Sequence, residues 1–197
     1  MRAPDLKAAA QGIAAFLRAL GFDEGKPELS GTPERVAEAF ANELLSGERI
    51  DLRELLRAGS EPVAAETSGL VLVRNISVVV VCPHHLLPAV GHATVAYVPG
   101  KRLLGLGTVA RLVQACGHRL ALQEAVGQGV VDALLEHAEA RGAFCRLELL
   151  HTCLATRGAE QPEARLVTTS RGGSLAGNEG ALELSLALSN AANGASA

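Results

Sequence analysis

Two short segments of this chain, Cys82-Pro83-His84-His85 and His151-Thr152-Cys153, together carry two thiols and three imidazoles. They stand far apart in the sequence, so a fold that uses them together must bring both to one point. Cys82 and His85 are three residues apart where a strand ends and the chain turns at Pro83, a spacing that lets both side chains converge on one ion. Cys153, at the end of a later strand, can supply a third ligand. Thiolate with imidazole suits zinc, with its tetrahedral preference. Three protein ligands leave a fourth position for water, whose pKa such an ion lowers from ~15.7 toward ~7. A structural zinc would be closed by a fourth side chain. The expectation is a zinc hydrolase. The competing reading makes Cys82 and Cys153 core thiols and the histidines ordinary polar residues; a lone Cys-x-x-His would not exclude it, but the second cluster and the double histidine weigh against it.

His84 and His151 are the imidazoles left over. In a zinc hydrolase they suit general acid and base roles near neutral pH. One of them can instead be a hydrogen-bonding partner that only orients a ligand. His92, on an alternating strand, reads as structural, and His118 and His137 as solvated helix-surface residues. Cys116 lies in an apolar helical pattern and Cys145 in an apolar strand pattern; both read as small buried hydrophobes. A disulfide framework belongs mainly to small secreted chains, so reduced thiols are expected.

The hydrophobic periodicity changes along the chain. Residues 5–21 read as a helix, a second helix starts at Thr32-Pro33 with Thr32 as its cap, and a shorter one lies near 51–58. Leu70 to Val81 is rich in Val and Ile without helical period and reads as a long strand, with 92–99 as its partner. Helical period returns over 108–116 and about 120–140. Strands follow at 144–154, 165–170 and 181–188, with Gly172-Gly173 and Gly177 between the last two. Helices, strands, helices and further strands predict an α+β fold, an antiparallel sheet backed by helices. Residues 1–60 form a helical N-terminal segment, 61–190 the catalytic domain and 191–197 a disordered tail. A four-stranded sheet has two open edges, and the 70–81 strand is long and apolar, so pairing with another subunit is expected.

With 48% hydrophobic but only 3% aromatic residues, the core must be built from Leu, Val and Ala. A net charge of -3 gives no general pull toward nucleic acid or an anionic membrane, so phosphate binding must come from local arginines. No window offers the ~18–20 apolar residues of a membrane span, and the N-terminus lacks signal-peptide features, so a cytoplasmic location is the default.

The motifs, taken in order, resemble the GTP cyclohydrolase I family. Cys82-Pro83-His84-His85 is similar to the family's Cys-Glu-His-His. Val95-Ala96-Tyr97-Val98-Pro99 follows as the family's Val-Ala-Tyr-Ile-Pro does, and Gly105 to Arg111 resembles Gly-Leu-Ser-Lys-x-x-Arg. Gln123-Glu124 matches a Gln-Glu pair, His151 to Gly158 matches His-x-Cys-x-x-x-Arg-Gly, and Thr32 to Ala37 resembles Thr-Pro-x-Arg-Val-Ala. The similarity runs from about residue 30 to 185. It implies the tunnelling fold, with two helices on one side of an antiparallel sheet. Subunit sheets join edge to edge into a barrel, and two pentamers stack face to face as a decamer with active sites between subunits. It implies Cys82, His85 and Cys153 as ligands of one zinc per subunit. His84 and His151 become the proton-transfer histidines. Glu124 holds the guanine, with Gln123 beside it in the catalytic set, and Arg35, Arg111 and Arg157 hold phosphates. The implied reaction is hydrolytic opening of the guanine imidazole ring of GTP at C8, loss of formate and rearrangement to 7,8-dihydroneopterin triphosphate, for pterin and tetrahydrofolate biosynthesis.

The chain departs from the family at three positions. The family's Ser and Lys, which touch the triphosphate, are Gly107 and Thr108, and the Glu after the first Cys is Pro83. Losing one ammonium beside a phosphate costs ~1.5–3 kcal/mol, roughly ten- to a hundredfold in binding. Either GTP binds more weakly, with Lys101, Arg102 or a neighbouring subunit compensating, or the substrate is a guanine nucleotide with fewer phosphates. Two rivals stand beside these: a Cys-nucleophile nitrile reductase of the same fold, and a catalytically silent tunnelling-fold binding protein.

Overall fold

The structure is a computed structural model and describes residues 3–23, 25–63, 69–178, 181 and 185. Helix α1 (Leu6–Ala19) begins where the Asp5 carboxylate accepts a hydrogen bond from the Ala8 N–H. Helix α2 (Thr32–Glu38) starts one residue earlier than a Thr32 cap would require. Gly31, at φ 69°, leads into it, and the Thr32 hydroxyl accepts from Arg35 Nη2 at 2.9 Å instead of from the backbone. A π-helical turn over Ala39–Leu44 and a 3-10 turn over Ser46–Arg49 replace the regular helix end expected there. Helix α3 (Leu52–Ala58) is capped by Asp51, whose carboxylate accepts from the Arg53 and Glu54 N–H groups.

After α3 come β1 (Ser60–Pro62), β2 (Val71–Val81), β3 (Pro88–Val98), β4 (Arg102–Leu104), α4 (Leu106–Gly117), α5 (Gln123–His137), β5 (Gly142–His151), a helical turn α6 (Thr152–Ala155) and β6 (Leu166–Gly173). The main sheet runs β2-β3-β5-β6, antiparallel throughout, and β1 pairs with β4 as a separate ribbon. A bulge between Val73 and Ile76, with Asn75 at φ 57°, bends β2. Helices α4 and α5 cover one face, α4 over β2 and α5 over β5 and β6. This is the α+β arrangement expected, an antiparallel sheet backed by two helices behind a helical N-terminal segment.

The core lies between those layers. Val78, Val80, Val95, Leu147 and Leu149 from the sheet meet Val109, Leu112, Val113, Val130 and Leu134 from the helices. Each such side chain contributes about 1.5–3 kcal/mol by leaving water, which is how a core poor in aromatics suffices. Tyr97 is buried among them, and its oxygen accepts from the Leu104 N–H at 3.0 Å, tying β4 to the sheet. Cys116 and Cys145 are buried, as expected, and burial pushes their thiols up to about 11 and about 12.

Several boundaries differ from expectation. Leu120 is not helical; it bridges Val81, and α5 starts only at Gln123. Gly172 and Gly173 lie inside β6, paired with Ala143 and Gly142. A Cβ on Gly172 would come within 2.7 Å of Leu135 Cδ1, so glycine lets the strand lie close under α5. Of the strand expected over 181–188, Ala181 and Ser185 are among the described residues, and both are helical. Its other residues and the expected tail 191–197 lie outside them. Among the described residues no helix is long and apolar enough to cross a membrane.

Candidate metal and active site

The first half of the site is the loop that leaves β2. The Cys82 N–H donates to Leu87 O at 3.0 Å and the Leu86 N–H to Cys82 O at 2.9 Å. These bonds close a tight turn with Leu86 at φ 56°, a left-handed angle that costs a branched residue ~1–2 kcal/mol. The turn brings His85 Nδ1 to 3.8 Å from Cys82 Sγ. Cys82 is buried, whereas Pro83, His84 and His85 are exposed. The His84 and His85 rings stand edge to face, with centroids 6.2 Å apart.

The second half follows β5. Sequence reading puts Cys153 at a strand end, but the strand stops at His151 and Cys153 sits in the helical turn α6. The Thr152 hydroxyl donates to Pro88 O at 2.6 Å, which ties the turn to the start of β3. Thr152 was a mere spacer in the sequence, and its hydroxyl between two motif residues was the available signal. The result is convergence: one ligand atom each from Cys82, His85 and Cys153 lie within 4.8 Å of one another. The Cys153 thiol is pushed above its ordinary value, first by burial and then by the Cys82 thiol beside it, while Arg157 pulls it down. Two thiols and an imidazole held this close fit a soft divalent cation, which would favour both thiolates.

His151 closes β5 opposite Ala89. Its Nε2 lies 2.8 Å from Gln123 Oε1. Burial lowers its pKa from the ordinary value, and the Glu124 carboxylate, on the first turn of α5, partly opposes that. Gln123, expected in the catalytic set, is only 1% exposed, and its amide nitrogen donates to Leu147 O, Leu166 O and Thr168 Oγ1. Glu124 is exposed next to it.

The arginines divide. Arg157 lies just beyond α6, where its charge reaches Cys153. Arg35 turns onto Thr32 of its own helix, and Arg111 Nη2 lies 3.4 Å from the Thr108 hydroxyl. Neither bonds to the Cys–His cluster of the same chain. Thr108 is 2% exposed and packs against Gly59, where a Cβ would collide with its hydroxyl. Arg102 is no free compensating cation: its Nε donates to Ser60 Oγ at 2.6 Å and its Nη2 to Ser60 O at 2.9 Å. Gly107 and Lys101 are exposed. His118 is not on a solvated helix face but half-buried at the end of α4, its Nδ1 3.2 Å from Ser46 Oγ. His92 is exposed on the outer sheet face, between Ser77 and Glu148 in register.

Residues 9–189 match the family model described as GTP cyclohydrolase I. A GTP cyclohydrolase 1 of Bifidobacterium longum (strain DJO10A) is 37% identical over 170 residues, which cover 86% of this chain and 83% of that protein. One of Leifsonia xyli subsp. xyli is 39% identical over 166 residues, covering 83% of this chain and 85% of that protein. Among solved structures, the apo archaeosine synthase QueF-Like superposes with a TM-score of 0.44 at 13% identity, over 56% of this chain and 98% of that one.

Proposed function

The chain belongs to the GTP cyclohydrolase I family, and on that premise we propose that it opens the guanine imidazole ring of GTP at C8 and converts the product to 7,8-dihydroneopterin triphosphate. The balance is one GTP and one water to one formate and one dihydroneopterin triphosphate. Two waters enter, at ring opening and at deformylation, and one leaves when the new six-membered ring closes. The observation that carries this reading is the convergence of Cys82, His85 and Cys153, whose ligand atoms lie within 4.8 Å of one another.

Cys82, His85 and Cys153 would hold zinc, which when bound supplies Lewis-acid activation of water near neutral pH. The chain's own residues do the rest. His84, exposed beside His85, and His151, at the end of β5, give and take protons as the ring opens. The exposed Glu124 accepts two hydrogen bonds from the guanine edge, a discrimination of a few kcal/mol over a base without those donors. Arg157 places its fork beside the cluster for phosphate oxygens. Arg35 and Arg111, directed elsewhere in their own chain, serve a neighbouring subunit's site. The sheet edges β2 and β6 are where subunits join, and we assign the decamer to that joining.

Elemental analysis with a formate assay tests the metal. The reading predicts about one zinc per chain, and loss of both zinc and formate release in Cys82→Ser, His85→Ala and Cys153→Ser. Full turnover by any of these variants overturns it.

A second reading, a guanine nucleotide with fewer phosphates as substrate, is favoured by one observation: position 108 is a buried, uncharged threonine where the family has a lysine. It predicts that GDP or GMP is turned over at least as well as GTP, and strict GTP preference excludes it.

A further inference from the structure

The hydrogen bonds around Gln123 fix more than its own position. Its Nε2 has three oxygens within reach: Leu147 O at 3.2 Å on β5, Leu166 O at 3.0 Å on β6 and Thr168 Oγ1 at 3.1 Å on β6. A side-chain amide can be turned over without changing its shape, so its orientation must come from its partners. Turned over, Gln123 would set its oxygen against two carbonyl oxygens in a 1% exposed setting, with no proton between them. The amide nitrogen therefore faces the sheet and Oε1 faces His151. Oε1 has no proton to give, so at 2.8 Å the His151 Nε2 must be the donor.

We infer that Gln123 is a positioning residue that holds neutral His151 as its Nε2–H tautomer and leaves Nδ1 as the nitrogen that exchanges protons with the substrate. The chain of cause runs from β6 through the Gln123 amide to the imidazole. Leu166 and Thr168 stand on β6, which among the described residues pairs with β5 alone, opposite Leu149 and Leu147, so they orient the histidine that ends β5. The inference rests on the preceding reading for the role of His151, but not for its tautomer.

The test separates the two. Solid-state 15N spectra of metal-loaded, full-length protein carrying 15N-imidazole histidine report which ring nitrogen is protonated. The His151 signal is assigned by its absence in His151→Asn. The expected result without substrate is a protonated Nε2 and a bare Nδ1; a protonated Nδ1 on neutral His151 overturns the inference whether or not the enzyme makes a pterin. Gln123→Met, of similar length but without an amide, should give a mixture of tautomers. It should also lower kcat about ten- to a hundredfold while KM changes less than threefold. Unchanged tautomer and kcat in folded Gln123→Met also overturn it. If Gln123→Met does not fold, the wild-type spectrum alone decides.

Discussion

At the scale of single residues, Cys82, His85 and Cys153 are legible in the sequence because thiol and imidazole types carry their chemistry with them wherever they sit. Gln123 is not legible in the same way. Its type says amide, but its role depends on which oxygens of β5 and β6 surround it, and those come from residues far along the chain. His118 fails for the same reason, since its partner Ser46 belongs to a 3-10 turn that no periodicity announces. Thr108, at the position of the family's lysine, is packed as a structural residue. Its side chain fills the space over Gly59, so Thr108→Lys would push a long cation into a 2% exposed position. The expected cost is about 2 kcal/mol or more in urea unfolding. A Thr108→Lys protein that is as stable as the parent and binds GTP more tightly would contradict this account of the position.

At the scale of elements, β2, β3 and β5 were visible because runs of Val, Ile and Leu suit a pleated, half-buried surface. Pro88 hid the true start of β3; a proline is tolerated at the first residue of a strand, where its missing N–H is not called on. The ribbon of β1 and β4 is three residues wide on each side and too short to show a pattern. The turn α6 escaped notice because the alternation of β5 runs into His151 and a single hydroxyl then redirects the chain. That hydroxyl gives a prediction. Thr152→Val removes the bond to Pro88 O and should cost about 0.5–1.5 kcal/mol of stability. Because the bond sets the turn that carries Cys153, zinc affinity in a chelator competition should fall about tenfold as well. Unaltered affinity would mean that α6 is held by other contacts.

At the scale of the whole molecule, the sequence conveyed an α+β chain with an exposed sheet edge, and among the described residues β2 and β6 are the two edges. The different surroundings of Arg35, Arg111 and Arg157 could not be read from residue types, because the three look alike until their partners are known. Of the three, Arg157 follows Cys153 closely in the chain and pulls its thiol down, whereas Arg35 and Arg111 turn to Thr32 and Thr108. If Arg111 acts on a neighbouring subunit's site, Cys153→Ser and Arg111→Ala should each be inactive alone. Co-refolded, they should regain part of the activity, because some interfaces then combine an intact cluster with an intact arginine. No recovery in mixed assemblies of parental size would place Arg111 outside the site. Folding stability carries a pH dependence at this scale too. The buried Cys116 and Cys145 thiols titrate higher in the folded than in the unfolded chain. Their contribution is complete below the ordinary thiol value and is lost as pH rises toward the folded values of about 11 and about 12. Urea midpoints should therefore decline above pH ~9, and less steeply in Cys145→Ala; an equal slope in the variant would assign the decline to other groups. The most direct test of the central claim is mass spectrometry of what the zinc-loaded protein makes from GTP. The account predicts formate and 7,8-dihydroneopterin triphosphate; GTP recovered intact, or a product that keeps C8, would contradict it.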